Sequence, residues 1–263
     1  MSRYGYIKDM PDARDFRVTR AVAPLKLPQS VDYTADMTGI ENQFNEGTCV
    51  AFASVAVKEY QERKEWRTDL DFSKRYIYQK CKEIDGIPDE EGTYPRCAMK
   101  ILMQKGVPPE DCWRYIPNII GTPCSKADEL AYPYRIQGYW RVEDDIDAIK
   151  ESLYLNGPMV VGIDVYESFE DASGGVVPMP KSDEELLGGH AICLVGYDDS
   201  KKLLKFKNSW GLIWGKLGYG FLPYDYVEPY LYDAWACRDF LGEPRQPTWW
   251  ERFVTWLKSL FHW

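Results

Sequence analysis

Three residue types able to carry out acyl transfer stand in order along the chain: Cys49, His190 and Asn208. Cys49 lies in NEGTCVAFASVAVKEY (45–60), where a Gly-Thr turn hands over to a run that is apolar on nearly every side and reads as a buried helix. The thiol is then the first helical residue. Four backbone N–H groups lack partners at such a start, and the positive end of the helix dipole favours thiolate. Cysteine in an apolar helix is more often plain core, so Cys49 alone carries little weight.

A thiol nucleophile needs a base. The chain has two histidines, and since His262 sits at the far end, the base falls to His190 in LLGGHAICLVGY, at the start of a strand beside a Gly-Gly pair. Asn208, in FKNSWGLIWGKLGYG, lies on the next strand, where an antiparallel neighbour can reach it and its amide can fix the imidazole's orientation and tautomer. Asn208 equally suits a turn. Trp210 and Trp214 close by favour the orienting role, because an indole over the contact keeps water from competing for it.

The elements that must position these residues change character halfway. After Cys49 come two more helical patterns: SKRYIYQKCKEI with Ser73 as N-cap, and RCAMKILMQKG closing on Gly106. From about Tyr132 the texture turns to β-branched and aromatic runs, YRIQGYWRV, MVVGIDV, HAICLVGYDD, LLKFKNSW and YGFLPYDYV, interrupted by one helical stretch, DDIDAIKESLYLNG. Helices followed by strands predict an α+β fold of two unlike lobes with the site between them. The lobes are expected at about 28–125 and about 126–241. Residues 1–27 read as a polar extended segment, and 242–263 as a linker and an aromatic-rich tail.

Composition narrows the function. The 263 residues are 45% hydrophobic, with 32 basic and 41 acidic side chains and a net charge of −9. No cluster of Lys and Arg interleaved with aromatics could track a phosphate backbone, so nucleic acid is not an expected partner. The N-terminus lacks the apolar run of an export signal, and no stretch approaches the roughly 20 apolar residues of a membrane span, which makes the cytoplasm the expected location. The seven cysteines include no Cys-x-x-Cys pair; neither a metal nor a cofactor is expected, and most of the thiols read as reduced core residues.

The order Gln43, Cys49, His190, Asn208, together with ENQFNEGTCVAFAS, GGHAICLVGYD and KNSWGLIWGKLGYGFL, resembles the papain family of cysteine peptidases from about Leu27 to Tyr230. The chain looks like a bacterial or archaeal type without the usual propeptide. The resemblance implies a helical left lobe and a β-barrel-like right lobe, peptide or protein substrates and a covalent thioester. In it Cys49 is the nucleophile, His190 the base, Asn208 the orienter and Trp210 the shield, while Gln43 and the Cys49 N–H form an oxyanion hole. It further implies a specificity pocket for the side chain second from the cut on the acyl side, with Gly92, Thr93 and Tyr94 on one wall and Met159, Gly162 and Gly188 on the other; Met159 equally suits core packing. Two departures stand out. Glu46 replaces a disulfide cysteine of the family, and Gly189 replaces the Asp or Asn that commonly precedes the histidine. The same triad serves acyl transferases and isopeptidases, and a non-catalytic binding module is the third reading.

Both termini add expectations. About 27 extended residues reach roughly 90 Å, ample to cross a cleft as a strap. In the tail TWWERFVTWLKSLFHW (248–263), apolar and polar residues separate completely on a helical wheel, which suits a membrane surface, a partner's groove or self-docking.

Overall fold

A computed structural model of the chain describes residues 3–17 and 25–240; the predicted amphipathic tail at 248–263 lies outside the described residues. After a short strand β1 (Ser30–Asp32), the chain forms helices α1 (Cys49–Trp66), α2 (Lys74–Lys82) and α3 (Pro95–Gln104). In α1, every residue from Cys49 to Tyr60 is buried, as a helix without a polar face demands. The Ser73 hydroxyl caps α2 by accepting the Tyr76 N–H at 3.0 Å. Pro95 opens α3, where its missing N–H costs nothing. Gly106, with φ +82°, ends that helix by donating its N–H to the Ile101 carbonyl at 3.1 Å.

A turn of helix, α4 (Ala127–Ala131), leads into the second lobe: β2 (Ile136–Val142), α5 (Ile146–Asn156), β3 (Met159–Tyr166), α6 (Glu167–Glu170), β4 (Leu186–Asp198), β5 (Leu203–Lys207), β6 (Tyr219–Pro223), α7 (Val227–Tyr230) and β7 (Leu231–Asp239). The sheet order is β2-β7-β3-β4-β5-β6, with β1 added on β4 and all neighbours antiparallel. The fold is α+β with two unlike lobes, as expected; the sheet curls without closing. Strand β7, absent from the sequence reading, lies between β2 and β3. Its sequence LYDAWACRD lacks both β-branched residues and clean alternation.

Alternation along β3 divides the interior in two. Val160 faces the helices, in the core that contains Val50, Ile77 and Leu102. Met159, Val161, Ile163 and Val165 face the second core with Ile149 and Leu194. Cys112 and Cys124 form a disulfide; the other five cysteines are free thiols, four of them buried. Among the described residues no helix is long and apolar enough to cross a membrane.

A buried ionic network ties α1 to Lys207, the last residue of β5. Lys74 meets Glu41, Glu59 and Asp71 at 2.5, 3.0 and 2.6 Å. Glu59 also accepts the Phe72 N–H at 3.1 Å and the Thr38 hydroxyl at 2.5 Å, and Lys207 donates to that hydroxyl oxygen at 3.0 Å. Burial opposes charge on Glu59, but Lys74 and Lys207 outweigh it and hold the carboxyl below its usual range. Glu59→Ala leaves a buried donor and part of a buried cation uncompensated. It should lower the unfolding free energy by about 3–5 kcal/mol, as measured by urea denaturation.

Candidate active site

Cys49 is the first residue of α1 and fully buried, with no side-chain cap ahead of it. Position 190 lies on β4, paired with Ile163 of β3, and its imidazole is likewise fully buried. His190 Nε2 lies 2.8 Å from Asn208 Oδ1. That Asn208 oxygen also accepts the Ser209 N–H at 2.9 Å. An oxygen with two neighbours can only accept, so Nε2 carries the ring proton, and in neutral imidazole Nδ1 is the bare, basic nitrogen. Among the described residues Nδ1 has no hydrogen-bond partner. Trp210 lies over the ring at a centroid distance of 4.7 Å and 33°.

Gln43 is fully buried, and its amide is fixed by neighbours. Its Oε1 accepts the Ser209 hydroxyl at 2.5 Å, which turns Nε2 towards the carbonyls of Glu46 and Arg3, both at 2.9 Å. Where the family has a disulfide cysteine, the Glu46 carboxylate accepts a two-pronged bond from Arg75 at 2.5 and 2.8 Å and the Asn118 N–H at 2.9 Å. A buried ion pair therefore pins the turn before Cys49.

The N-terminal segment fills the cleft. Tyr6 and Thr93 pair as parallel strands: Thr93 N–H donates to the Gly5 carbonyl at 2.9 Å and Ile7 N–H to the Thr93 carbonyl at 3.1 Å. On the opposite wall Tyr6 N–H donates to the Gly189 carbonyl at 3.1 Å. A Cβ at position 189 would lie 2.5 Å from the Tyr6 oxygen, and one on Gly5 would lie 1.9 Å from the Gly47 oxygen, so both glycines are needed for this approach. The Arg3 guanidinium sits 4.0 Å over the Trp210 ring and bonds to Glu170. Further along, Arg96 clamps the segment through Asp9 at 3.2 Å and Asp15 at 2.7 Å, and the Phe16 carbonyl accepts the Arg141 N–H.

Of the six pocket residues expected from the sequence, four line this segment. Gly92 and Thr93 touch Gly5, Gly162 lies under the Tyr6 ring, and Gly188 lies under Tyr4. Lys82 holds the first wall by donating to the Gly92 carbonyl at 3.0 Å. Tyr94 is half-buried at the head of α3. Met159 is on the face of β3 opposite Gly162; of the two roles open to it, core packing is the one it fills. The sequence reading missed Asp233 of β7, which is fully buried and accepts the Tyr6 hydroxyl at 2.5 Å. An acidic residue in an unrecognised strand offered no signal.

Residues 27–226 match the family described as "Papain family cysteine protease". An uncharacterized peptidase C1-like protein of Acanthamoeba polyphaga mimivirus is 32% identical over 269 residues, covering 90% of this chain and 86% of its own length. Cathepsin K of Mus musculus is 29% identical over 204 residues, which cover 75% of this chain and 60% of the cathepsin. Among solved structures, xylellain, a cysteine protease from Xylella fastidiosa, matches with a TM-score of 0.83 at 31% identity, covering 91% of this chain and 97% of that one.

The electrostatics of the covered site reverse one sequence expectation. A helix start lowers a thiol's pKa, yet burial dominates here and pushes Cys49 up to about 11, against backbone N–H donors from Ala191, Gly5 and Val50. Burial, aided by the Arg3 charge and opposed by Asn208, pushes His190 down to about 4. Thiol and imidazole are thus both neutral, because burial under the N-terminal segment removes the water that charge requires. The ultraviolet thiolate absorbance that distinguishes the full chain from Cys49→Ser should therefore be absent at neutral pH and grow as the pH approaches 11. A full thiolate signal at neutral pH would show the ion pair already formed under the segment.

Proposed function

The chain belongs to the papain family of cysteine proteases, and from that premise we propose that it hydrolyses peptide bonds through Cys49, His190 and Asn208 and that residues 3–9 hold it closed. The observation that carries the reading is the Nε2–Oδ1 contact of 2.8 Å, which leaves Nδ1 as the basic nitrogen in a ring placed on the strand against which the head of α1 packs. In the open enzyme the Cys49 thiol passes its proton to His190, and sulfur attacks the substrate carbonyl carbon. The resulting oxyanion accepts bonds from Gln43 Nε2 and the Cys49 N–H. The C–N bond then breaks as His190 returns the proton to the leaving amine. Water, deprotonated by His190, attacks the thioester, and the C–S bond breaks to release the acid and restore the thiol.

Three contacts support closure by residues 3–9. Gln43 Nε2, the proposed oxyanion donor, already serves the Arg3 carbonyl at 2.9 Å. What meets the Cys49 sulfur is the Gly5 N–H, which offers no carbon to attack. The Tyr6 main chain takes the Gly189 carbonyl on the wall beside His190.

Gly5→Val in the full chain forces a side chain against the Gly47 backbone while leaving every proposed catalytic group in place. It should raise peptide turnover and iodoacetamide alkylation of Cys49 by about tenfold or more. Unchanged rates would sink the closure proposal. Cys49→Ala should abolish turnover and Asn208→Ala should weaken it less; turnover that survives Cys49→Ala would sink the catalytic assignment.

A further inference from the structure

Beside the thiol, Tyr6 occupies a pocket that any bound chain would also meet. Its ring lies so close to Gly162 that a Cβ there would come within 2.1 Å of Cε2, and the residue is only 7% exposed. At the pocket's end the phenol hydroxyl donates to Asp233 Oδ2 at 2.5 Å, and that oxygen also accepts the Asp9 N–H at 2.8 Å. The other oxygen, Oδ1, has no hydrogen bond but lies 2.8 Å from Arg141 Nη2 as an ion pair, and that guanidinium donates to the Tyr232 carbonyl at 2.7 Å. When the segment leaves, both donors to Oδ2 leave with it. A buried carboxylate oxygen, charge-paired with Arg141, then faces an apolar slot of aromatic width.

We infer that this pocket selects a substrate side chain that is flat, neutral and tipped with a hydrogen-bond donor, namely tyrosine, with Asp233 as the residue that reads the hydroxyl. The inference rests on the peptidase reading of the same cleft. Charge rules out the nearest competitor class. Asp233 is already neutralised by Arg141, whose guanidinium also lies 3.7 Å from Asp144. A lysine or arginine side chain reaching Asp233 would therefore meet a carboxylate that is already paired and would approach the Arg141 guanidinium itself. Phenylalanine fills the slot but leaves the carboxylate oxygen buried without a donor, which a site built around a hydroxyl penalises strongly.

The test measures kcat/KM of the full chain, and of its Gly5→Val form, on two fluorogenic peptides that differ only in Tyr or Phe at the second residue before the cut. The tyrosine peptide should be preferred by about 10- to 100-fold, the range for one hydrogen bond to a buried charge. Asp233→Asn should lower turnover of the tyrosine peptide more than that of the phenylalanine peptide, moving the ratio towards one, whereas a merely structural loss would lower both in proportion. Turnover of the two peptides within threefold, or a preference for a lysine or arginine peptide, overturns the inference and leaves the peptidase reading intact. Turnover of neither peptide by either chain overturns both.

Discussion

A helix with no polar face must be covered on every side, and that requirement organises this molecule. The apolar run from Cys49 to Tyr60 is enclosed by α2 and α3 on one flank and by the sheet on the other. Neither lobe can bury α1 without the other, so the two lobes meet along it, and its first residue comes to lie where they part at the surface. Reactive geometry follows from coverage: the strand lying on the head of α1 is β4, and His190 is part of it.

Burial on this scale is costly for polar groups, and their satisfaction determines the finer geometry. Glu59 and Lys74 are charged and inside because each has the other, Glu59 with the Phe72 N–H and the Thr38 hydroxyl besides and Lys74 with Glu41 and Asp71. Gln43 is inside because Ser209, Glu46 and Arg3 supply partners for both ends of its amide. Ser209 joins two of these arrangements: its N–H fixes the Asn208 oxygen and its hydroxyl fixes the Gln43 oxygen. The proposed orienting amide and the proposed oxyanion donor are therefore held by two donors of one residue.

Sequence alone made legible whatever depends on local pattern. The buried helix, the Ser73 and Gly106 boundaries and most strands follow from periodicity and capping, and Cys49, His190 and Asn208 follow from residue type and order. Strand β7 escaped because LYDAWACRD gains its conformation from lying between β2 and β3, not from its own propensities. With it escaped Asp233, and Met159 could not be assigned to a face before the register of β3 against β4 was known. The pKa expectation for Cys49 went wrong for a different reason. It treated the helix end as solvated, whereas Gly5 and Arg3, which are distant in sequence, close over it.

Arg96, gripping Asp15 beyond the closing residues 3–9, alters the arithmetic of competition. A segment anchored a few residues from the thiol stays near it even while detached, and a short flexible tether corresponds to a local concentration of the order of millimolar. Dilution cannot weaken such an occupant, because its supply travels with the enzyme. Under the proposed closure, a free peptide of equal affinity must match that local concentration before it holds the cleft half the time, so scarce substrates are excluded and abundant ones admitted. On that proposal the peeled end keeps its anchor and rebinds when the substrate is spent, so that output would be a graded, reversible function of how crowded the surroundings are with peptide.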